Sequence, residues 1–258
     1  MLTVTYRKYG IRLSHVWFAS EREILDGSFK NDAGDLIFLH GASCAPPGGY
    51  LYTVQHTLIK DLSLSEEELF MTFSKVLRKR IRRAKRENST IEFYESKDVL
   101  MKPELLDVCR TFYEGMFSDK GMNVKFNTKL ALQYCKLDAL LVMLAKIDGE
   151  NAGFCADIYQ GENARVWVSA FDFRGRTGEE QQIISRAHRL LNWEKMLWHK
   201  AHGVRYLDMG GVNSFDNPNS IAWFKMEFAR ENPVTYSNYL VPKNIIGKLA
   251  LKIFMRGH

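Results

Sequence analysis

ARVWVSAFDFRGRTGEEQQIISRAHRLLNWEKMLWHKAHGVRYLDMGGVNSFDNPNSIAWFKMEF, residues 164–228, decides the fold, because its hydrophobic period changes from about 2 to about 3.6 and back. A strand leads into the turn Arg174, Gly175, Arg176, Thr177, Gly178, and a long helix follows that stops at Gly203. A second strand, VRYL, then meets Asp208-Met209-Gly210-Gly211, and a short helix carries Phe224 and Lys225. Strand, Gly-rich turn and helix together present unpaired backbone N–H groups at the positive end of the helix, which suits a phosphate-bearing ligand. An ordinary strand-to-helix connection has the same outline, so the turn gains weight only from its neighbours.

Those neighbours are strands on the N-terminal side. Residues 140–147, 152–159 and 164–171 are rich in β-formers and are separated by Asp148-Gly149-Glu150-Asn151 and Gln160-Gly161-Glu162-Asn163, turns that join adjacent antiparallel strands. On the long helix, Ile183, Ala187, Leu190, Leu191, Leu197, Trp198 and Ala201 line one side, and Glu194 falls inside that stripe. A carboxylate there is paired, faces a cleft, or sits at the boundary of the stripe. Such a pattern of strands and helices reads as an α/β chain with a mixed sheet.

In the first half, residues 35–40 and 50–57 read as strands around a Gly- and Pro-rich loop at 41–49. Ser65-Glu66-Glu67-Glu68 forms a capping box, and Leu69, Phe73, Val76, Leu77, Ile81 and Ala84 continue at helical spacing, which predicts one helix through residues 66–88. Residues 91–94 read as a strand, and PELLDVCRTFYEGMF at 103–117 as a helix with Pro in its first turn.

The formal net charge of +6 has one source. RKRIRRAKR, from Arg78 to Arg86, holds seven Lys/Arg and no acid; removing those seven from the 36 basic residues leaves 29 against 30 acids. A solvated basic face at the dipole-favoured end of a helix accounts for the run, and so does an anionic partner. No aromatic residue interleaves it, so phosphate contact is the nucleic-acid mode it supports. Cys44, Cys109, Cys135 and Cys155 show neither disulfide-framework nor zinc-site spacing, and Cys155 lies in a predicted strand as a core residue. His188, His199 and His202 lack a matching Cys or carboxylate, are expected at a solvent-exposed helix surface, and predict no metal site. Serine-hydrolase and P-loop motifs have no match. With no apolar leader after the first basic residues and no apolar run of about eighteen residues, a cytoplasmic protein is expected.

Near the C-terminus, residues 243–256 alternate apolar residues with Lys248, Lys252 and Arg256, a basic amphipathic helix. Packing of Ile245, Ile246, Leu249 and Ile253 against the domain is the ordinary use of such a helix, and peripheral contact with a membrane surface is the other.

Two regions carry a resemblance. YTVQHTLIKDLSLSEEELFMTFSKVLRKRIRRAKREN (52–88) and NWEKMLWHKAHGVRYLDMGGVNSFDNPNSIAWFKMEF (192–228) are similar, in order and spacing, to the GNAT-superfamily proteins related to the FemABX peptidoglycan bridge-forming aminoacyltransferases. The likeness implies a GNAT-like acyl-CoA N-acyltransferase fold, with residues 1–100 as a reduced N-terminal lobe bearing the basic helix and 101–258 as the catalytic lobe. It implies acyl transfer to an amine, with the strand at 164–171 parted from its neighbour to admit an acyl donor. On that reading Ala170 and Phe171 lie against the donor, and Arg174, Gly175, Arg176, Thr177 and Gly178 face its pyrophosphate or tRNA phosphate. Lys225, matching the family's Phe-Lys pair, and Asp208 are the candidate catalytic residues; Gly210, Gly211, Asn213, Phe224 and Glu194 are candidates for substrate binding. Arg174 to Gly178 do not reproduce the superfamily's usual pyrophosphate signature, and the helical tRNA arm of some bridge-forming enzymes has no counterpart here.

Three functions follow as expectations. One is an N-acyltransferase using acetyl-CoA or another acyl-CoA to modify an amine of a small molecule or cell-envelope glycan precursor. Another is a tRNA-dependent aminoacyltransferase acting on a peptidoglycan precursor, and the third a non-catalytic relative that binds an anion or a partner.

Overall fold

Along the chain, β1 (Leu2–Lys8) and β2 (Ile11–Trp17) are followed by α1 (Glu21–Asp26), β3 (Leu36–Ala42) and β4 (Tyr50–Asp61). Next come α2 (Glu66–Met71), α3 (Lys75–Arg86), β5 (Ser89–Glu95), α4 (Ser96–Met101), α5 (Glu104–Ser118) and α6 (Thr128–Lys136). The chain continues through β6 (Leu140–Ile147), β7 (Glu150–Gln160), β8 (Asn163–Phe171), α7 (Gly178–Ala201), β9 (Tyr206–Asp208), α8 (Ser220–Ala229), β10 (Pro233–Pro242) and α9 (Ile245–Arg256). These elements come from a computed structural model that describes residues 1–256. They fall into two compact units, composed differently from lobes of 1–100 and 101–258.

One unit comprises Met1–Leu58, Gly211–Lys225 and the chain from Glu231 on. Its strands run in the order β1-β2-β3-β10-β4, with β2 and β3 parallel and the other pairs antiparallel. The C-terminal strand β10 lies between β3 and β4, which is why no single cut near residue 100 separates the units. Leu13, Leu36, Leu240, Ala250 and Leu251 form one core on this sheet, and Val16, Ile24, Phe29, Ile37, Leu39 and Val241 another.

The other unit comprises Ile59–Gly210 and Met226–Arg230. From β5 the order is β5-β6-β7-β8-β9, and β9 then pairs with the last residues of β4. Every residue from Leu140 to Ala145 on β6 is buried, so both sheet faces are covered and the strand reads as a continuous apolar run. Burying each such aliphatic side chain contributes roughly 1.5–3 kcal/mol, which makes β6 and β7 the anchor of the unit.

Two helical expectations change. The helix predicted over 66–88 is two helices, because Ser74 starts a second one: its Oγ accepts from the Leu77 amide at 3.2 Å. On α7 the buried side is rotated from the expected stripe and comprises Ile184, Ala187, Leu190, Leu191, Trp193 and Met196, together with Arg186, Arg189, Lys195 and His199. Ion pairs permit that burial. Arg186 binds Glu87 through two bonds of 2.6 and 2.9 Å, and Arg189 binds Glu227 through two of 2.7 and 2.8 Å.

Candidate functional site

The strand pair β8 and β9 forms the centre of the site. They run parallel, but only Asn163, Ala164 and Arg165 find partners, in Tyr206, Leu207 and Asp208. Beyond Arg165, β8 continues to Phe171 paired with β7 alone. Trp167 is an extra residue in that ladder, since Val166 faces Asp157 and Val168 faces Ala156; a bulge of this kind bends a strand and increases its twist. Residues 166–171 therefore present one main-chain edge that no strand among the described residues covers, about 20 Å long at strand rise.

At the closed end of this opening, Arg165 and Asp208 form a buried ion pair, and Asp208 Oδ1 also accepts the Gly210 amide at 2.7 Å. Gly210 takes the left-handed conformation, with φ of 78°, that lets its N–H turn back to the carboxylate. Asp208 is thus engaged as the clasp that joins β8 to β9. It lies about 16 Å of strand from Ala170 and Phe171, at the other end of β8. At that far end the His188 ring of α7, weighed in sequence only as a metal ligand, stacks on Phe171 with centroids 3.9 Å apart.

The turn from β8 to α7 exposes Arg174, Gly175, Arg176, Thr177 and Gly178. Gly175 is left-handed, and Thr177 caps α7 in a full capping box with Glu180. Much of the turn's hydrogen-bonding capacity is already taken: Thr177 Oγ1 accepts the Glu180 amide, and Glu180 accepts the Thr177 amide at 2.7 Å. Arg176 binds Asp172 at 2.5 Å and lies 3.8 Å from Glu180, while Arg174 lies 3.9 Å from Asp119. Glu179 adds a third carboxylate to those of Asp172 and Glu180 around the turn. A pyrophosphate with two charges meets both arginines already facing acids, so this donor set does not fit the pyrophosphate of coenzyme A as it stands.

Glu194 is paired. Its carboxylate lies 2.7 Å from Lys85 on α3, beside a cleft of about 480 Å³ lined by Glu66, Glu67, Phe70, Ile81, Arg82, Lys85 and Trp193. The basic run is correspondingly less free than its sequence suggests: Arg80 pairs with Glu227, Arg83 with Glu87 and Lys85 with Glu194. Arg82 lies over the Phe70 ring at 5.2 Å and Phe70 against Trp193 at 4.8 Å, so aromatic side chains from α2 and α7 adjoin a run that has none of its own.

The remaining predicted residues belong to the first unit. Lys225 Nζ donates to the Gly211 carbonyl at 2.7 Å, and Phe224 is half-buried beside it in sequence. Asn213 closes the preceding loop, donating to the Asn217 carbonyl and accepting the Asn219 amide, both at 2.9 Å. Lys225 and Asn213 are thereby ordered by the chain around them.

His199 departs from the solvent-exposed position expected for it. It is fully buried, and its Nε2 meets Asp157 at 2.9 Å; Lys195 Nζ lies 3.7 Å from the same carboxylate, and the Cys155 thiol donates to it at 3.2 Å. Burial pulls His199 below its ordinary value against the pull of Asp157, and Nδ1 has no partner, so the imidazole is neutral. Burial works to raise Asp157, but the Lys195 ammonium and the His199 bond outweigh it and hold the carboxylate low. Burial pushes the Cys155 thiol up, and Asp157 adds to the rise. A protonated, sealed thiol next to an acid is no nucleophile, so Cys, Asp and His here form a core network.

Comparison with solved structures identifies the architecture. FemX matches with a TM-score of 0.60 at 10% identity, over 94% of this chain and 84% of its own. The fold is shared with FemX. A C-terminal domain from Agrobacterium fabrum, designated lysylphosphatidylglycerol synthetase, matches at 0.55 and 14% identity over 97% of this chain and 83% of that one. L-PGS from Bacillus licheniformis matches at 0.50 and 14% identity over 98% and 84%. No family model and no curated protein matches the sequence. The mixed-sheet α/β fold expected from the FemABX and GNAT resemblance is therefore the one observed. No helix among the described residues is long and apolar enough to cross a membrane.

Proposed function

We propose that the chain is an N-acyltransferase in which the acyl group lies along the uncovered edge of β8 and passes to an amine. The parting of β8 from β9 after Arg165 carries this reading. Acyl transfer requires an attacking nitrogen with a free lone pair and fixed N–H donors for the oxyanion that develops as the N–C bond forms. A strand edge with no neighbour supplies such donors without reorganisation. When the intermediate collapses, the bond from the acyl carbon to the donor's sulfur or oxygen breaks, the electron pair leaves with that atom, and the proton lost by the nitrogen ends on it to give the free thiol or hydroxyl. In this reading Asp208, clasped by Arg165 and the Gly210 amide, acts by holding the two strands at the closed end of the opening. Lys225 enters from the resemblance as the residue whose loss should depress transfer.

Acyl-CoA and aminoacyl-tRNA are the two donors consistent with this chemistry, and an amine of a small molecule or of a peptidoglycan or other cell-envelope precursor is the acceptor class. The acid-lined turn at residues 172–180 weighs against a coenzyme A pyrophosphate there, and for the tRNA donor the exposed Lys79, Arg82 and Arg86 of the Arg78 to Arg86 run would supply phosphate contacts. A thermal-shift series with acetyl-CoA, longer acyl-CoAs and charged tRNA, followed by transfer to an amine panel, tests the proposal. One donor should raise the melting temperature and support turnover. A donor that stabilises the protein without any turnover would instead favour the non-catalytic reading. Absence of both effects across all donors would sink the acyl-transfer proposal.

A further inference from the structure

The C-terminal helix α9 packs with the opposite side from the one its sequence suggests. Gly247, Ala250, Leu251 and Phe254 face the sheet of the first unit, where Ala250 and Leu251 are buried with Leu13, Leu36 and Leu240. Gly247 makes that seat possible, because a Cβ there would come within 1.9 Å of the Asp35 carbonyl oxygen. The helix is locked in this rotation. Asn244 holds its first turn, accepting the Gly247 amide at 2.9 Å while donating to Asp35 at 2.8 Å.

The larger apolar residues are left outside. Ile245 is 77% exposed, Ile253 70%, Leu249 58% and Ile246 52%. Their spacing places them in one stripe along a helix about 18 Å long. Lys248 and Lys252 are exposed next to it, and α9 contains no acidic residue. Lys243, just before the helix, is engaged with the carbonyls of Asn31 and Ala33, so the free positive charge belongs to α9 itself.

We propose that α9 is a docking surface for an anionic lipid bilayer, lying flat in the interface with its Ile/Leu stripe in the acyl boundary. Four large aliphatic side chains in water on a helix whose core face is already satisfied call for an apolar cover. Charge complementarity selects the cover. Two lysines flanking the stripe with no carboxylate among them match a surface of lipid phosphates, and their long stems let the ammonium groups reach headgroup level while the stripe sinks. The inference rests on α9 alone and is independent of the acyl-transfer proposal.

Flotation of the full chain with vesicles of phosphatidylcholine alone, and of phosphatidylcholine with phosphatidylglycerol, tests it. The protein should float with the anionic vesicles and be released from them as salt rises. The double variant L249Q/I253Q should lose at least about tenfold in partitioning, and K248E/K252E should lose the preference for anionic vesicles. Both pairs are solvent-exposed, so circular dichroism and melting temperature should stay at wild-type values. Failure of the wild type to float on either vesicle, or flotation unchanged in both variants, overturns the proposal. A wild-type dimer in light scattering that L249Q/I253Q converts to monomer, without vesicle binding, would show that a second copy covers the stripe and would overturn it equally.

Discussion

The Arg165–Asp208 pair is the residue-scale element on which the opening in the sheet depends. Both side chains are buried, so removing one takes a direct ion partner from a charge held in a low-dielectric setting. Arg165→Met should cost about 3–5 kcal/mol in urea unfolding, and adding Asp208→Leu should return part of that loss. Lys225→Ala should leave unfolding near wild type yet depress acyl transfer; full activity would remove Lys225 from the reaction. Two histidines, the half-buried His15 and the buried His199, make stability depend on pH. Burial lowers His15 from 6.5 to about 4, and it lowers His199 as well. Both are neutral in the folded chain and take up protons more readily when it unfolds. Their contribution is thus complete above pH 6.5 and declines as pH falls below it, by on the order of 3 kcal/mol for His15 by pH 4. Melting temperature should drop between pH 7 and 4.5, and His15→Phe should flatten the slope; an unchanged slope would show that His15 is not a source of it. These residues were poorly legible in sequence. His199 looked like a surface residue because its burial depends on Asp157 and Lys195, whose approach only the packing of α7 on β7 creates. Asp208 was singled out in the sequence reading, but its partner Arg165 was hidden among the apolar residues of β8.

At the scale of elements, the strands from 140 to 171 and the helix after them follow directly from period and turn chemistry, and the observed β6, β7, β8 and α7 agree to within a few residues. The parting of β8 and β9 could not be read in the same way, because it depends on how few residues of β9 reach β8. The hairpin β1–β2 and the strand β10 escaped the sequence reading, although Val/Thr/Tyr alternation marks both. The rotation of α9 escaped it for a physical reason: a helix apolar on two sides has no unique inward face until Gly247 fixes one. Capping is testable at this scale. Ser74→Ala removes the acceptor that starts α3 and should cost about 1 kcal/mol; an unaffected midpoint in urea would mean that α3 does not depend on its cap.

For the molecule as a whole, the chain is divided by strand insertion, not by a cut in sequence. β10 pairs with β3 on one side and β4 on the other, so deleting residues from Pro233 on should strip protection from residues 1–58 in hydrogen exchange while leaving β6 and β7 protected. Uniform protection after that deletion would contradict the division. The central claim is that an acyl donor seats on the uncovered edge of β8. Hydrogen exchange of the full chain, with and without whichever of acetyl-CoA, a longer acyl-CoA or charged tRNA raises its melting temperature, tests that most directly. Slowed exchange at residues 166–171 is the predicted result, accompanied by slowed exchange at residues 78–86 when the donor is charged tRNA, and protection that leaves residues 166–171 unchanged would contradict it.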